Sequence, residues 1–153
     1  MKKKSPGIKN PPPGKERFSK LTLLKTSHTK VSDGPENAKL EVFSNIYAGR
    51  DYEIVFDCPE FTSLCPVTGQ PDFGAITIRY IADKYCIESK SLKLYLFSFR
   101  NHNTFHEEAV NSIFDAVVKA ASPRWAEVSG IFNPRGGIAI KVRVSTDLKV
   151  ANK

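Results

Sequence analysis

Apolar and polar positions alternate with period two in some stretches and recur at helical spacing in others, and the switch sets the element order. Tyr52-Glu53-Ile54-Val55-Phe56-Asp57 is alternating and β-rich. Phe73 to Ala82 sets Ala75, Thr77 and Arg79 against Ile76, Ile78 and Tyr80. Both read as strands, because successive strand side chains point to opposite faces. Lys39 to Ile46 is a further strand candidate. Cys58 to Asp72 carries three prolines and Gly69 and predicts a loop. Asp83-Lys84 predicts a turn, and Tyr85 to Ile87 an extended run into a helix over Ser89 to Asn101, with Ser89 as N-cap. Within that helix Leu92 to Phe99 is apolar or Tyr except at Lys93 and Ser98. A helix apolar nearly all round is expected in an interior.

Thr104 to Ala121 is amphipathic, with Val110, Ile113, Phe114, Val117 and Val118 at helical spacing and Pro123 beyond its end. Thr104 and Glu107 fit a capping box. Trp125 to Phe132 and Ile138 to Val144 read as strands joined through the turn Asn133-Pro134-Arg135-Gly136-Gly137. Two tandem helices thus interrupt an antiparallel four-stranded sheet and lie on one of its faces, an α+β arrangement. Open sheet edges favour assembly into a larger barrel.

The length of 153 residues fits one domain with a core of its own. The net charge of +7 is unevenly spread. Residues 1–30 hold nine Lys/Arg against one acid, whereas residues 31–153 hold fourteen against fifteen. Basicity therefore belongs to a tail, and the rest gives little support for a nucleic-acid-binding domain. Residues 1–20, with Lys2-Lys3-Lys4 and Pro11-Pro12-Pro13, are expected to be disordered, leaving 21–153 as the single folded domain. No apolar run approaches the roughly 20 residues that span a bilayer. The basic N-terminus lacks the apolar core of a signal peptide, so a cytoplasmic protein is expected. Three cysteines without a C-x-x-C pair, Cys58, Cys65 and Cys86, are expected as thiols, not a disulfide framework.

Charge at both ends of the apolar helix is the first pointer to a site. Ser89, Lys90 and Lys93 open it, and His106-Glu107 follow it. Such charge near a buried element is costly without a purpose. Cys65, in a Pro/Gly-punctuated loop, is either a bystander thiol or a nucleophile. Asp72, seven residues on, could serve it as general acid/base. His106-Glu107 is either a helix cap with a surface histidine, or a carboxylate placed to accept two N–H groups of a planar ligand. Lys90, Lys93 and Arg135 are either a solvated basic edge or a phosphate site. No G-x-G-x-x-G follows a strand, so a bound dinucleotide would not be held in the Rossmann manner.

Glu88-Ser89-Lys90-Ser91-Leu92-Lys93-Leu94-Tyr95 resembles the signature of the NADPH-dependent 7-cyano-7-deazaguanine reductases, the nitrile reductases of queuosine biosynthesis. The Cys65–Asp72 loop, Phe99-Arg100-Asn101-His102, Phe105-His106-Glu107 and Asn133-Pro134-Arg135-Gly136-Gly137 resemble that family in the same order, over about residues 50–145. The resemblance implies the single-domain branch of the tunnel fold, with pentameric rings stacked into a decamer and active sites between subunits. It implies Cys65 as the nucleophile forming a thioimide, Asp72 as proton donor and His106 as a further catalytic group. Glu107 with His106 would hold the guanine-like edge, and Ile87, Glu88 and Ser89 would line the substrate pocket. Lys90, Lys93 and Arg135 would bind NADPH phosphates. The chemistry the resemblance implies, on a small-molecule substrate, needs no metal, and with no spanning segment and basicity confined to the tail, no membrane and no direct nucleic-acid contact are expected. Two rivals are a zinc-dependent tunnel-fold cyclohydrolase, with Cys65 and His106 as ligands, and a non-catalytic protein whose tail contacts RNA.

Overall fold

The computed structural model describes residues 18–23 and 31–147. The expected tail lies outside the described residues except for Phe18–Lys20, which form a turn, with the Phe18 ring against Phe43. The elements are β1 (Val42–Ser44), β2 (Glu53–Leu64), β3 (Pro71–Ile81), β4 (Tyr85–Ile87), α1 (Ser89–Phe97), α2 (His106–Ala121), β5 (Trp125–Phe132) and β6 (Lys141–Ser145). The main sheet has the order β2-β3-β5-β6 and is antiparallel throughout. Register is set by pairs such as Ile54 with Tyr80, Ile78 with Val128 and Gly130 with Val142. The Lys39–Ile46 strand shrinks to β1, which pairs with β4 in a separate two-stranded ribbon.

The predicted loop over Cys58–Asp72 is mostly strand. β2 continues to Leu64 and β3 starts at Pro71. Pro59 suggests a break because it cannot donate to a ladder. It is accommodated because β2 is an edge strand and the register shifts between Cys58 and Phe61. The resulting hairpin of long strands carries the loop Cys65–Gln70 at its tip.

Apolar side chains of one sheet face meet one face of α2. Ile76, Ile78, Tyr80, Val128 and Phe132 from the sheet and Val110, Ile113, Val117 and Ala121 from the helix form a single buried cluster. The Tyr80 hydroxyl accepts the Ile87 N–H at 3.0 Å, tying the β1–β4 ribbon to the sheet, and burial pushes its pKa up to about 12. The other face is polar: Arg79 bonds Glu53 at 2.9 Å, and Arg79 and Arg143 flank Glu127 at 3.8 and 3.5 Å. Both helices lie on the apolar face, as the alternation predicts.

α1 departs from expectation in three ways. It is not an interior helix: Ser91, Leu92 and Tyr95 are buried, but Phe97 is 42% exposed. It stops at Phe97, short of Asn101, because the chain tightens there. The N–H groups of Phe99 and Arg100 reach only three residues back, to Leu96 and Phe97, and the Ser98 hydroxyl bonds the Tyr95 carbonyl. Its N-cap is Glu88, not Ser89: the Glu88 carboxylate accepts the N–H groups of Lys90 at 2.8 Å and Ser91 at 2.7 Å. Among the described residues no helix is long and apolar enough to cross a membrane.

The approach of α2 to the sheet depends on Gly130. A Cβ there would sit 2.7 Å from the Val110 side chain and 2.9 Å from that of Phe132. Gly130→Ala is therefore expected to destabilise by about 1–3 kcal/mol through overpacking. Urea unfolding checks this through a lowered midpoint at unchanged slope.

Candidate active site

The site is assembled where the tip of the β2–β3 hairpin meets the link between the helices. The Leu64 N–H donates to the His102 carbonyl at 3.0 Å, and the Leu64 carbonyl accepts from the Thr104 N–H at 3.0 Å. These two bonds lay the link alongside the end of β2. They bring the first turn of α2, with His106 and Glu107, next to Cys65 and Asp72. The hairpin loop closes on itself: Cys65 N–H bonds the Gln70 carbonyl and Gly69 N–H the Cys65 carbonyl, both at 2.9 Å. Gly69 has φ +66°, a conformation glycine adopts without strain. The third contributor is the Asn133–Gly137 turn, where Arg135 and Ile138 exchange both backbone bonds at 3.1 Å. Asn133 N–H bonds the Phe73 carbonyl at 2.8 Å, which holds that turn over the start of β3.

Cys65, Asp72, His106, Glu107, Asn133 and Arg135 line one cavity of about 290 Å³. Asp72 is 5% exposed. Its Oδ1 accepts from Arg135 Nη1 at 2.5 Å, while Arg135 Nη2 bonds the Gln70 side-chain oxygen. The His106 ring stacks on Phe132, with centroids 3.9 Å apart and planes within 11°. Its Nε2 lies 3.4 Å from Asp72 Oδ2, in a geometry that makes no hydrogen bond. Among the described residues, two buried side-chain polar atoms have no hydrogen-bond partner: His106 Nε2 and Ser63 Oγ.

The Cys65 thiol has a lowered pKa. The Thr68 side chain contributes most, then the backbone of Thr68 and of Val67. Burial and the negative charge of Asp72 push the other way. Hydrogen bonds to the charged form favour the thiolate, which is the nucleophilic species. By contrast burial raises Cys58, with a smaller push from Asp57. Cys58, Cys65 and Cys86 are all free thiols.

The capping expected of Thr104 and Glu107 is shifted by one residue. Phe105 is the N-cap of α2, and Glu108 Oε2 accepts its N–H at 3.2 Å. Glu108 thus takes the structural duty, and Glu107 is left exposed at the cavity. This removes the competition between capping and ligand binding that the sequence poses for Glu107.

The remaining candidates lie elsewhere. Ile87, Glu88 and Ser89 line a second, more apolar cavity of about 570 Å³ beside the β1–β4 ribbon, with Phe18, Phe43 and Tyr47. Glu88 is buried and holds the start of α1 through the cap described above. The Lys90 ammonium bonds the Leu23 carbonyl at 2.6 Å, and Lys93 is exposed on α1. Within one chain, then, Cys65, Asp72, His106, Glu107 and Arg135 come together, and Ile87, Glu88, Ser89, Lys90 and Lys93 do not join them. Among the described residues no group of three His, Cys, Asp or Glu side chains is placed to hold a metal ion.

Sequence reasoning gives no role to Thr68, which bonds Cys65, to Gln70, which bonds Arg135, or to Asn133, which lines the cavity. The polar residues between Pro66 and Pro71 are the available signal for the first two. It also missed Glu41, which is buried and accepts the Thr22 and Leu23 N–H groups at 3.0 and 3.2 Å. Burial raises its pKa, but the Thr22 and Leu23 hydrogen bonds and the Lys39 charge outweigh that and leave it lowered. Nothing in the local pattern marks it.

A family model described as QueF-like protein matches residues 71–151. A protein of Streptococcus thermophilus named NADPH-dependent 7-cyano-7-deazaguanine reductase is 54% identical over 125 residues, covering 82% of this chain and 77% of the relative. Proteins of the same name from Bacillus mycoides and Parabacteroides distasonis are 54% and 60% identical, over 82% and 66% of this chain and 76% and 64% of their own. The crystal structure of an archaeosine synthase QueF-Like in the apo form superposes with a TM-score of 0.59 at 18% identity, over 64% of this chain and 96% of that one. That likeness speaks to the fold alone, while the identities to the reductases reach much further. The chain belongs to the family of the NADPH-dependent 7-cyano-7-deazaguanine reductases.

Proposed function

We propose that this chain reduces the nitrile of 7-cyano-7-deazaguanine to the aminomethyl group with NADPH, a step of queuosine biosynthesis for tRNA. The observation that carries the reading at the level of residues is one cavity holding an acidified thiol, Cys65, beside a buried carboxyl group, Asp72. A nitrile accepts hydride poorly. Attack of the Cys65 thiolate forms an S–C bond, and the nitrile π electrons move to nitrogen, which takes a proton from Asp72. The product is a thioimide, whose C=N accepts hydride more readily. The exposed Glu107 carboxylate suits two adjacent N–H donors of a guanine-like edge, and a base lacking them would leave that charge unpaired. His106, stacked on Phe132, stands between Glu107 and Asp72 in function, able to accept or donate.

The cations present fit a nucleotide cofactor's phosphates. Arg135 already holds one anion, Asp72, with its guanidinium at the cavity, Lys93 is exposed on α1, and the Lys90 ammonium bonds the Leu23 carbonyl beside it. NADPH supplies hydride when bound, two equivalents for each nitrile. Because Lys90, Lys93, Ile87, Glu88 and Ser89 lie apart from the Cys65 cavity within one chain, we infer that a complete site forms between two copies. The open edges β2 and β6 and the exposed Phe97 support a tunnel-fold barrel, with stacked pentamers as its form.

Cys65→Ala is expected to abolish NADPH oxidation with the nitrile substrate, so that the reduced nicotinamide absorbance persists. A variant that still turns over would remove the covalent mechanism. Asp72→Asn is expected to slow turnover by about 10²–10⁴-fold. Thr68→Val removes a hydrogen bond that favours the thiolate, so the Cys65 pKa should rise. The midpoint of Cys65 alkylation by iodoacetamide against pH then moves upward, and an unmoved midpoint contradicts the role given to Thr68.

A further inference from the structure

Ser63 is fully buried, and its hydroxyl is one of the two orphaned atoms. The β2–β3 register sets Ser63 directly opposite Asp72. Both are buried and lie in the row that continues through Phe61 and Gly74, on the helix side of the sheet. Side chains so paired have Cβ atoms roughly 4.5–5.5 Å apart. The other orphan, His106 Nε2, stands 3.4 Å from the same carboxylate. Leaving a buried polar atom unpaired is costly, so two such atoms, one on the residue paired with Asp72 and one beside its carboxylate, call for a reason.

The partner that Asp72 does have completes the bonding of only one of its two protonation states. A guanidinium donates and never accepts, so Arg135 can bond an acceptor oxygen of either form but leaves the O–H of the carboxylic acid without an acceptor. A proton donor must pass through both forms. A serine hydroxyl can accept from the acid and donate to the carboxylate. Ser63 is on a strand whose backbone is fixed by the ladder, and it turns about a single side-chain torsion. We propose that Ser63 is a positioning residue for Asp72, its hydroxyl, unpaired in this structure, turning to partner the carboxyl group as the proton passes to the nitrile nitrogen. This rests on the reading of Asp72 as proton donor. The charged and titratable groups facing Asp72 are Arg135 from the β5–β6 turn, His106 and Glu107 from α2, and Cys65 from the hairpin loop.

Thioimide formation can be timed without NADPH, by mixing protein with 7-cyano-7-deazaguanine and quenching for intact mass. Ser63→Ala is expected to keep or raise the thermal midpoint, since it deletes an orphaned buried hydroxyl. It should slow adduct formation by about ten- to a hundredfold, the size of one hydrogen bond to a charged group. In an Asp72→Asn background the same change should add nothing, because both act through one proton. Ser63→Ala reacting at the parent rate while Asp72→Asn is slow overturns the proposal and leaves the role of Asp72 standing. A further slowing in the Asp72→Asn background also overturns it. Asp72→Asn reacting at the parent rate removes the proton-donor reading itself, and the proposal with it.

Discussion

The carboxyl group of Asp72 is almost wholly withdrawn from water, and a charge so placed needs partners. Much of the local architecture answers that need. Arg135 reaches it from the β5–β6 turn, and Gln70 holds the other arm of the same guanidinium. His106 approaches from the start of α2, fixed by its stack on Phe132. The β5–β6 turn is thereby bonded to this carboxyl group and the start of α2 lies against it, and both share a cavity with the thiol of Cys65. The acid also opposes ionisation of that thiol, and the Thr68 and Val67 contacts more than offset it. A thiolate and a proton source side by side are the two things that addition to a nitrile requires.

The hydrophobic pattern made the sheet and α2 legible because period two and period 3.6 are direct consequences of which face is buried. Ile76, Ile78 and Tyr80 against Ala75, Thr77 and Arg79 could hardly be read otherwise. Cys58 to Leu64 was misread because Pro59 is a breaker in isolation, while a bulge on an edge strand, which accommodates it, is a property of the pairing and not of the residue. α1 looked interior because nearly every position is apolar. Phe97, 42% exposed, shows that such composition does not by itself make a helix interior. The capping of α2 turned on whether Glu107 or Glu108 reaches back, a difference of one residue that the sequence leaves open.

The site was legible as residue types and not as a place. Cys65, Asp72, His106, Glu107 and Arg135 stood out by chemistry and by family resemblance, but their meeting depends on the Leu64 bonds to His102 and Thr104. Those are backbone bonds and carry no side-chain signature. Ser63 had no signal at all, because its interest lies in an absent partner and in its register against Asp72. The stretch from Glu88 to Glu107 has charge at both ends for different reasons. Glu88 holds the N-terminus of α1, Glu108 holds that of α2, and Glu107 is left facing the cavity.

The central claim is that Cys65 attacks the nitrile carbon. Peptide mapping by mass spectrometry, after incubation with 7-cyano-7-deazaguanine alone, addresses it directly. The account predicts one equivalent of adduct, equal in mass to the intact nitrile, on the peptide carrying Cys65 and on neither Cys58 nor Cys86. NADPH oxidation by the nitrile in the same preparation, with Cys65 unmodified or with the adduct on another residue, would contradict it.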